Sequence, residues 1–153
     1  MDKLQVLLDS GYKPDVYVLE SDLAVDIIRH MIEQAGYNFF YLDGKRIVSE
    51  QDFFQEAQQA LAFPYFGQNW DAFDDCVSDM SWVPLAKGNV ILYDEFEQFA
   101  QNDLNGFKLA FHGLQYATRV DITPQPTYVL LRGDRSFLPE VSIFGDSEGV
   151  DQS

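Results

Sequence analysis

The chain has 153 residues, 46% of them hydrophobic, which suits one compact domain with a real core. Its formal net charge of -15, from 25 acidic and 10 basic residues, disfavours binding to nucleic acid or anionic membranes and favours a basic partner. No apolar run is long enough to span a membrane, the N-terminus lacks a secretory signal pattern, and the single cysteine excludes an internal disulfide. We therefore expect a cytoplasmic protein that is a monomer when free.

The predicted elements alternate between strand and helix along the chain. In chain order they are a strand at 16–19, a helix at 22–35, a strand at 38–42, a helix at 50–62, a helix that begins after Asn69, a strand at 89–93, helices at 95–101 and 107–118, and a strand at 127–131. Ser21, Ser49 and Asn69 are placed to cap helices. This order predicts an α/β domain with a small, mainly parallel sheet packed against helices.

Three regions are expected along this chain. Residues 1–37 form an added N-terminal strand-helix unit at the edge of the sheet, and residues 38–143 form the main domain. The polar, acidic residues 144–153 are expected to be a disordered tail.

The most unusual stretch, residues 65–82, reads YFGQNWDAFDDCVSDMSW and carries Asp71, Asp74, Asp75 and Asp79. No Lys or Arg occurs between residues 47 and 86. At 100° per residue, these aspartates and Ser78 occupy one half of a helix, and the apolar side chains occupy the other. Like charges one turn apart destabilise a helix by about 0.2–0.5 kcal/mol per pair. The pattern therefore favours a recognition surface for a cationic partner, and the alternative is a solvated acidic face.

Aromatic side chains flank the aspartates on both sides. Tyr65 lies between a proline and the turn at Phe66-Gly67, so we expect its ring to be exposed. Phe66 and Trp70 are expected to pack into the core. Exposed tyrosine beside charged groups is typical of a protein–protein interface.

Other kinds of site find little support in the sequence. The aspartates do not follow the spacing of a calcium-binding loop, and no nucleotide-binding or hydrolase motif is present. His30 and His112 lie in predicted helices without an evident nucleophile, and Cys76 falls on the apolar side of its helix. We therefore expect no enzymatic activity, no metal and no cofactor. A metal site or a carboxylate pair for acid–base catalysis is the remaining alternative.

The run from Leu42 to Asp79, LDGKRIVSEQDFFQEAQQALAFPYFGQNWDAFDDCVSD, resembles the barstar family of ribonuclease inhibitors. The resemblance extends over about 42–131 and depends on the order strand, glycine turn, helix, aromatic pair, Gly-x-Asn and acidic helix. It implies a three-stranded parallel sheet packed against helices and a protein that is not an enzyme. It also implies inhibition of a basic ribonuclease, or a related toxin, whose active site is covered by the acidic helix and the preceding loop.

The resemblance also implies roles for individual residues. Asp75 matches the family's principal carboxylate, which enters the phosphate site of the nuclease, and Asp71 matches a second acid. Tyr65 matches the aromatic that covers the catalytic histidine, while Asp74 stands where the family has tryptophan. The acid of a later helix aligns poorly, near Gly113. The predicted partner-binding residues are Tyr65, Phe66, Gly67, Asn69, Asp71, Asp74, Asp75, Ser78 and Asp79. An interaction or immunity module with a partner other than a ribonuclease is the alternative.

Overall fold

The structure, a computed structural model, describes Leu4, residues 11–139, Val141, Ile143 and Phe144. The division into residues 1–37, 38–143 and 144–153 stays a prediction, and the predicted acidic tail beyond Phe144 lies outside the described residues. Phe144 itself is buried, and its backbone N–H donates to the carbonyl of Val18 at 2.7 Å.

Strands and helices alternate through the described residues in the predicted order. They are β1 (Val16–Val18), α1 (Val25–Gln34), β2 (Asn38–Asp43), α2 (Glu50–Ala60), α3 (Trp70–Asp79), β3 (Asn89–Asp94), α4 (Glu97–Asn102), α5 (Leu104–Ala117) and β4 (Thr127–Arg132). Short 3₁₀ turns lie at Gly44–Arg46 and Arg135–Phe137. Within these ranges no helix combines the length and the apolar character that crossing a lipid bilayer requires. The order confirms the predicted α/β class.

The four strands form one parallel sheet in the order β1-β4-β3-β2. The family resemblance implied three strands, and the sheet contains a fourth because β1 pairs with β4, with Val16 opposite Val129. Strand β3 lies inside the sheet, and all six of its residues are buried, as its continuous apolar run predicts. Ile143 forms an isolated parallel bridge with Val18 at the outer edge of β1.

Helices cover both faces of the sheet. Alternate side chains of β3 point to opposite faces, so Val90 and Leu92 pack on one side and Ile91 and Tyr93 on the other. The first side is covered by α1 together with Leu4, Tyr12 and Phe144. Helices α2 to α5 cover the second side with a larger, strongly aromatic core. Helix α3 therefore belongs to a layer of four helices on one face of the sheet.

The predicted N-caps were right at two of three positions. The side chains of Ser49 and Asn69 accept hydrogen bonds from backbone N–H groups in the first turns of α2 and α3. Ser21 does not cap α1, which begins at Val25 after an Ala24 without a side-chain cap. The reason is tertiary, because the Arg132 guanidinium donates to the carbonyl oxygen of Ser21 at 3.1 Å and holds this segment outside the helix.

Arg132 is also half of an ion pair at the ends of two neighbouring strands. Its guanidinium donates to both carboxylate oxygens of Asp94, at 2.5 and 2.7 Å, and the side chains are only 16% and 10% exposed. The hydroxyl of Tyr41 donates to the same carboxylate at 2.9 Å. The pair therefore joins β2, β3 and β4 to the segment before α1.

We predict that Asp94→Ala lowers the free energy of unfolding by about 3 kcal/mol, because it leaves a largely buried guanidinium without its counter-charge. Urea denaturation followed by circular dichroism measures the loss. The matched control is Asp121→Ala, which removes the acid of an exposed Arg119–Asp121 pair and should change stability little. Equal losses in the two variants would contradict the prediction.

Candidate partner-binding surface

Helix α3 has well-defined ends. The side chain of Asn69 accepts from the N–H of Ala72 at 2.8 Å and caps the start of the helix. The helix ends at Met80, whose left-handed backbone (φ 47°) lets its N–H donate to the carbonyl of Cys76. Met80 is a residue other than glycine at this conformation, and its side chain is buried in the core.

The apolar half of α3 packs on the main core. Phe73, Cys76 and Val77 are almost completely buried. Gly113 of α5 permits the close approach of the two helices, because a Cβ atom at this position would lie 2.9 Å from the ring of Phe73. The buried half fixes the rotation of α3, so the opposite half must face outward.

We call this opposite half, formed by Asp71, Asp74, Asp75, Ser78 and Asp79, the acidic face. Asp71 and Asp75 are exposed, whereas the other three side chains are half-buried. The hydroxyl of Ser78 donates back to the carbonyl of Asp75 at 3.1 Å. The separation of polar and apolar side chains thus follows the predicted helical wheel, but the four aspartates differ in their surroundings.

Asp74 lies at the border between the acidic face and α5. A Cβ atom on Gly113 would be 3.8 Å from its Oδ1 atom. Partial burial raises the pKa of Asp74, the charges of Asp71 and Asp75 raise it further, and His112 of α5 opposes the shift. This carboxylate is therefore under electrostatic strain in the free protein.

Asp79, at the other end of the acidic face, is bonded to Tyr65. The Tyr65 hydroxyl donates to its Oδ2 atom. This bond is the main reason that the pKa of Asp79 is lowered, and hydrogen bonding from Ser81 lowers the pKa further. Reciprocally, the bond to Asp79 is the main reason that the pKa of Tyr65 is raised to about 12.

The loop before α3 places Tyr65 beside the helix. The Tyr65 side chain is 50% exposed, and its ring meets that of Trp82 edge to face at 6.0 Å. Its carbonyl accepts a hydrogen bond from the thiol of Cys76 at 3.1 Å. Further along, Gly67 and Gln68 are exposed, and Gln68 has a left-handed backbone (φ 54°).

Phe66 and Trp70 pack inward, as expected. The Phe66 ring lies 5.6 Å from Phe54, and the Trp70 ring lies 4.6 Å from the same residue. The indole N–H of Trp70 donates to Glu50 at 2.7 Å. Phe66 is thus half-buried and supports the loop, and its side chain is less accessible to a partner than that of Tyr65.

One contact that supports the loop could not be predicted from the sequence. Gln51 of α2 donates to the side chain of Gln68 at 2.7 Å, which ties the loop to the neighbouring helix. Gln51 does not belong to any motif.

Within the described part of the chain, no ion pair compensates the negative charge of the acidic face. The ion pairs found there bind Lys45, Arg46, Arg119, Arg132 and Arg135, and every acidic partner lies outside α3. Among the same residues, no group of three or more His, Cys, Asp or Glu side chains is arranged to hold a metal ion. The arrangement presents fixed negative charge, with a half-exposed tyrosine at its edge.

Comparison with known proteins identifies the family. Residues 37–131, more than half of the chain, match the sequence profile described as Barstar (barnase inhibitor). The chain belongs to the barstar family. The family's members are inhibitors rather than enzymes, and ribonucleases are their partners in general. The search of curated proteins gives no match.

Solved structures support the fold of this barstar-family chain. Two structures of the Aeropyrum pernix ORC2 protein, one of its ADPNP-ADP complexes and one of its ADP form, match with TM-scores of 0.57 and 0.56. Sequence identity is 10% and 11%, and each match covers 88% of this chain. The chain corresponds to only 39% and 40% of those proteins. At such identity the likeness concerns the fold alone.

We predict that Asp74→Asn stabilises the free protein at pH 7 by about 0.5 kcal/mol, because it removes like-charge repulsion within α3. The folded-state pKa of Asp74 lies above its ordinary value of 3.8, so the penalty exists only while the group is ionised. The stability gained by Asp74→Asn should therefore decrease as the pH falls through the folded-state pKa and disappear below about pH 3.8. Urea denaturation at a series of pH values measures it.

The control is Asp121→Asn, because the pKa of Asp121 is lowered by Arg119 and its charge is favourable in the folded state. This variant should gain no stability at pH 7. Destabilisation by Asp74→Asn at pH 7 would show that Asp74 makes a favourable bond as an ion.

Proposed function

We propose that the protein is an intracellular inhibitor of a basic ribonuclease of the barnase type, and that it covers the nuclease active site with α3 and the preceding loop. The family match supports this proposal, since it includes both elements. The observation that carries it is the exposed Asp75, which lies at the middle of the acidic face and outside every ion pair described above.

The chemistry of the two surfaces is complementary. A ribonuclease active site presents Lys, Arg and His side chains that bind the phosphates of RNA, and a row of carboxylates occupies the same positions. Asp75 is the proposed phosphate mimic, Asp71 the second contact, and the Tyr65 ring covers the edge of the site. Each carboxylate gains more from a cation in a closed interface than in water, because screening is weaker there.

The net charge of -15 supports the same proposal through association kinetics. A strongly negative protein attracts a positive one over distances of about one Debye length, roughly 8–10 Å at physiological salt. The uncompensated acidic face orients that attraction toward α3. Binding should therefore be fast at low salt and slower as salt is added.

Two departures from the family pattern favour a second candidate function. Asp74 occupies the position of an interfacial tryptophan and lies against α5, and α5 offers His112 and Gly113 where the family has an acid. Because these interface residues differ from the family pattern, they favour an interaction or immunity module whose basic partner has no ribonuclease active site. Affinity capture from the native host, followed by a nuclease assay of the captured protein, distinguishes the two functions.

We predict tight, salt-sensitive inhibition of at least one enzyme in a panel of barnase-type ribonucleases. Asp75→Ala should weaken inhibition about 30-fold or more, because it leaves a desolvated cation of the nuclease unpaired. Titration of RNA hydrolysis at low and high salt measures both effects. Asp75 is exposed, so the variant should keep its fold, which circular dichroism checks.

Asp26→Ala is the matched control for net charge. This exposed acid lies on α1, which covers the opposite face of the sheet from α3, so its loss should leave inhibition nearly unchanged. Full nuclease activity across the panel in the presence of excess protein would exclude the proposed function. Equal losses of inhibition in Asp75→Ala and Asp26→Ala would show that net charge, and not the acidic face, determines binding.

A further inference from the structure

The contact between Tyr65 and Asp79 joins the loop to the end of α3. The two residues are 14 positions apart, and the tyrosine hydroxyl donates to the carboxylate. Hydrogen bonding from Ser81 contributes less than Tyr65 to the lowered pKa of the Asp79 carboxyl. Its negative charge is thus already hydrogen-bonded within the protein, whereas Asp75 is exposed.

Helix stability does not account for an acid at residue 79. Asp79 is the last residue of α3, where the helix dipole places partial negative charge, and it follows Asp75 by one turn. Both effects disfavour a carboxylate. The hydrogen bond from Tyr65 is the main favourable interaction that the structure provides for it.

Tyr65 is held at several points although half of it is exposed. Its hydroxyl is bonded to Asp79, its carbonyl accepts from the Cys76 thiol, and its ring packs against Trp82. Trp82 is fixed in turn, because its indole N–H donates to the carbonyl of Leu61 at 2.9 Å. The exposed ring therefore has a defined position before any partner arrives.

We propose that Asp79 is a positioning residue, which holds the Tyr65 ring in its binding orientation instead of contacting the partner as a charge. The identity of the partner in this inference rests on the proposed function. The contact between Tyr65 and Asp79 is a feature of the free protein and does not depend on that function. Because the tyrosine hydroxyl proton is committed to Asp79, the phenol oxygen offers a partner only acceptor lone pairs. The partner group that meets it must be a hydrogen-bond donor, such as the N–H of a basic side chain.

The first test uses the free protein. Side-chain couplings measured by NMR should show one Tyr65 rotamer in the wild type and in Asp79→Asn, which keeps a carbonyl acceptor. They should show averaged rotamers in Asp79→Ala. The Asp79 carboxyl, followed by its ¹³C shift, should titrate at a higher pH in Tyr65→Phe than in the wild type, since the phenol bond is lost.

The second test uses a nuclease that the protein inhibits. Tyr65→Phe and Asp79→Ala should each weaken binding about tenfold, mainly through faster dissociation. The double variant should bind no worse than Tyr65→Phe alone, because Tyr65→Phe already lacks the hydrogen bond that Asp79→Ala removes. Asp79→Asn should stay within about threefold of the wild type, since a neutral acceptor keeps most of the bond.

Two outcomes would overturn the inference. One is an Asp79→Asn variant that loses as much affinity as Asp79→Ala together with a weaker salt dependence, as expected for a direct charge contact. The other is a Tyr65 ring with averaged rotamers in the wild-type free protein, which would count against positioning whether or not a nuclease binds. Failure of the whole panel to bind, with an ordered Tyr65 ring, would reject the ribonuclease partner and leave the positioning role supported.

Discussion

Burial of Phe73, Cys76 and Val77 fixes helix α3 in rotation, and the other features of the acidic face depend on this packing. Gly113 allows α5 to approach closely enough to complete the contact. Because the apolar half of the helix packs on the core, its polar half faces outward or along α5. The core therefore determines which carboxylates a partner can reach.

The acidic face is unfavourable for the free protein, and under the proposed function it is the surface that a partner recognises. Within α3 the aspartates repel one another, and the described ion pairs lie elsewhere in the fold. The stability that this repulsion removes is offset by a large aromatic core, while the largely buried Asp94–Arg132 pair links three strands to the segment before α1. Under the proposed function, a cationic partner relieves this repulsion on binding, and the relief adds to the affinity.

Local signals in the sequence predicted most of the elements. Ser49 and Asn69 cap the helices that follow them, and the apolar run of β3 is the buried inner strand that its composition indicates. The prediction that Ser21 caps a helix was wrong because the Ser21 carbonyl accepts a hydrogen bond from Arg132, 111 residues away. No local sequence pattern indicates such a contact. The N-terminal strand was expected at the edge of the sheet, but no local pattern indicates its pairing with β4, because that pairing joins residues as distant in the chain as Val16 and Val129.

The candidate site shows the same division between local and distant information. Helical periodicity separated the aspartates from the apolar half, but it gave the four of them one environment. Their differences come from neighbours outside the helix: α5 beside Asp74, and Tyr65 beside Asp79. Sequence spacing contains no information about these neighbours, because they depend on how the loop and α5 pack against the helix.

Because Tyr65 bonds to the last residue of α3 and Asn69 caps its first turn, the loop is attached to both ends of the helix. Loop and helix thus present one preformed surface, and little conformational entropy remains to be lost there on binding. Asp74 stands outside this arrangement, at the border with α5. Under the proposed function, substitution at Asp74 changes the contact set without disturbing the bonds that hold the surface together. If the resemblance is right that Asp74 replaces a tryptophan of the family, a change of partner specificity at this position has little structural cost.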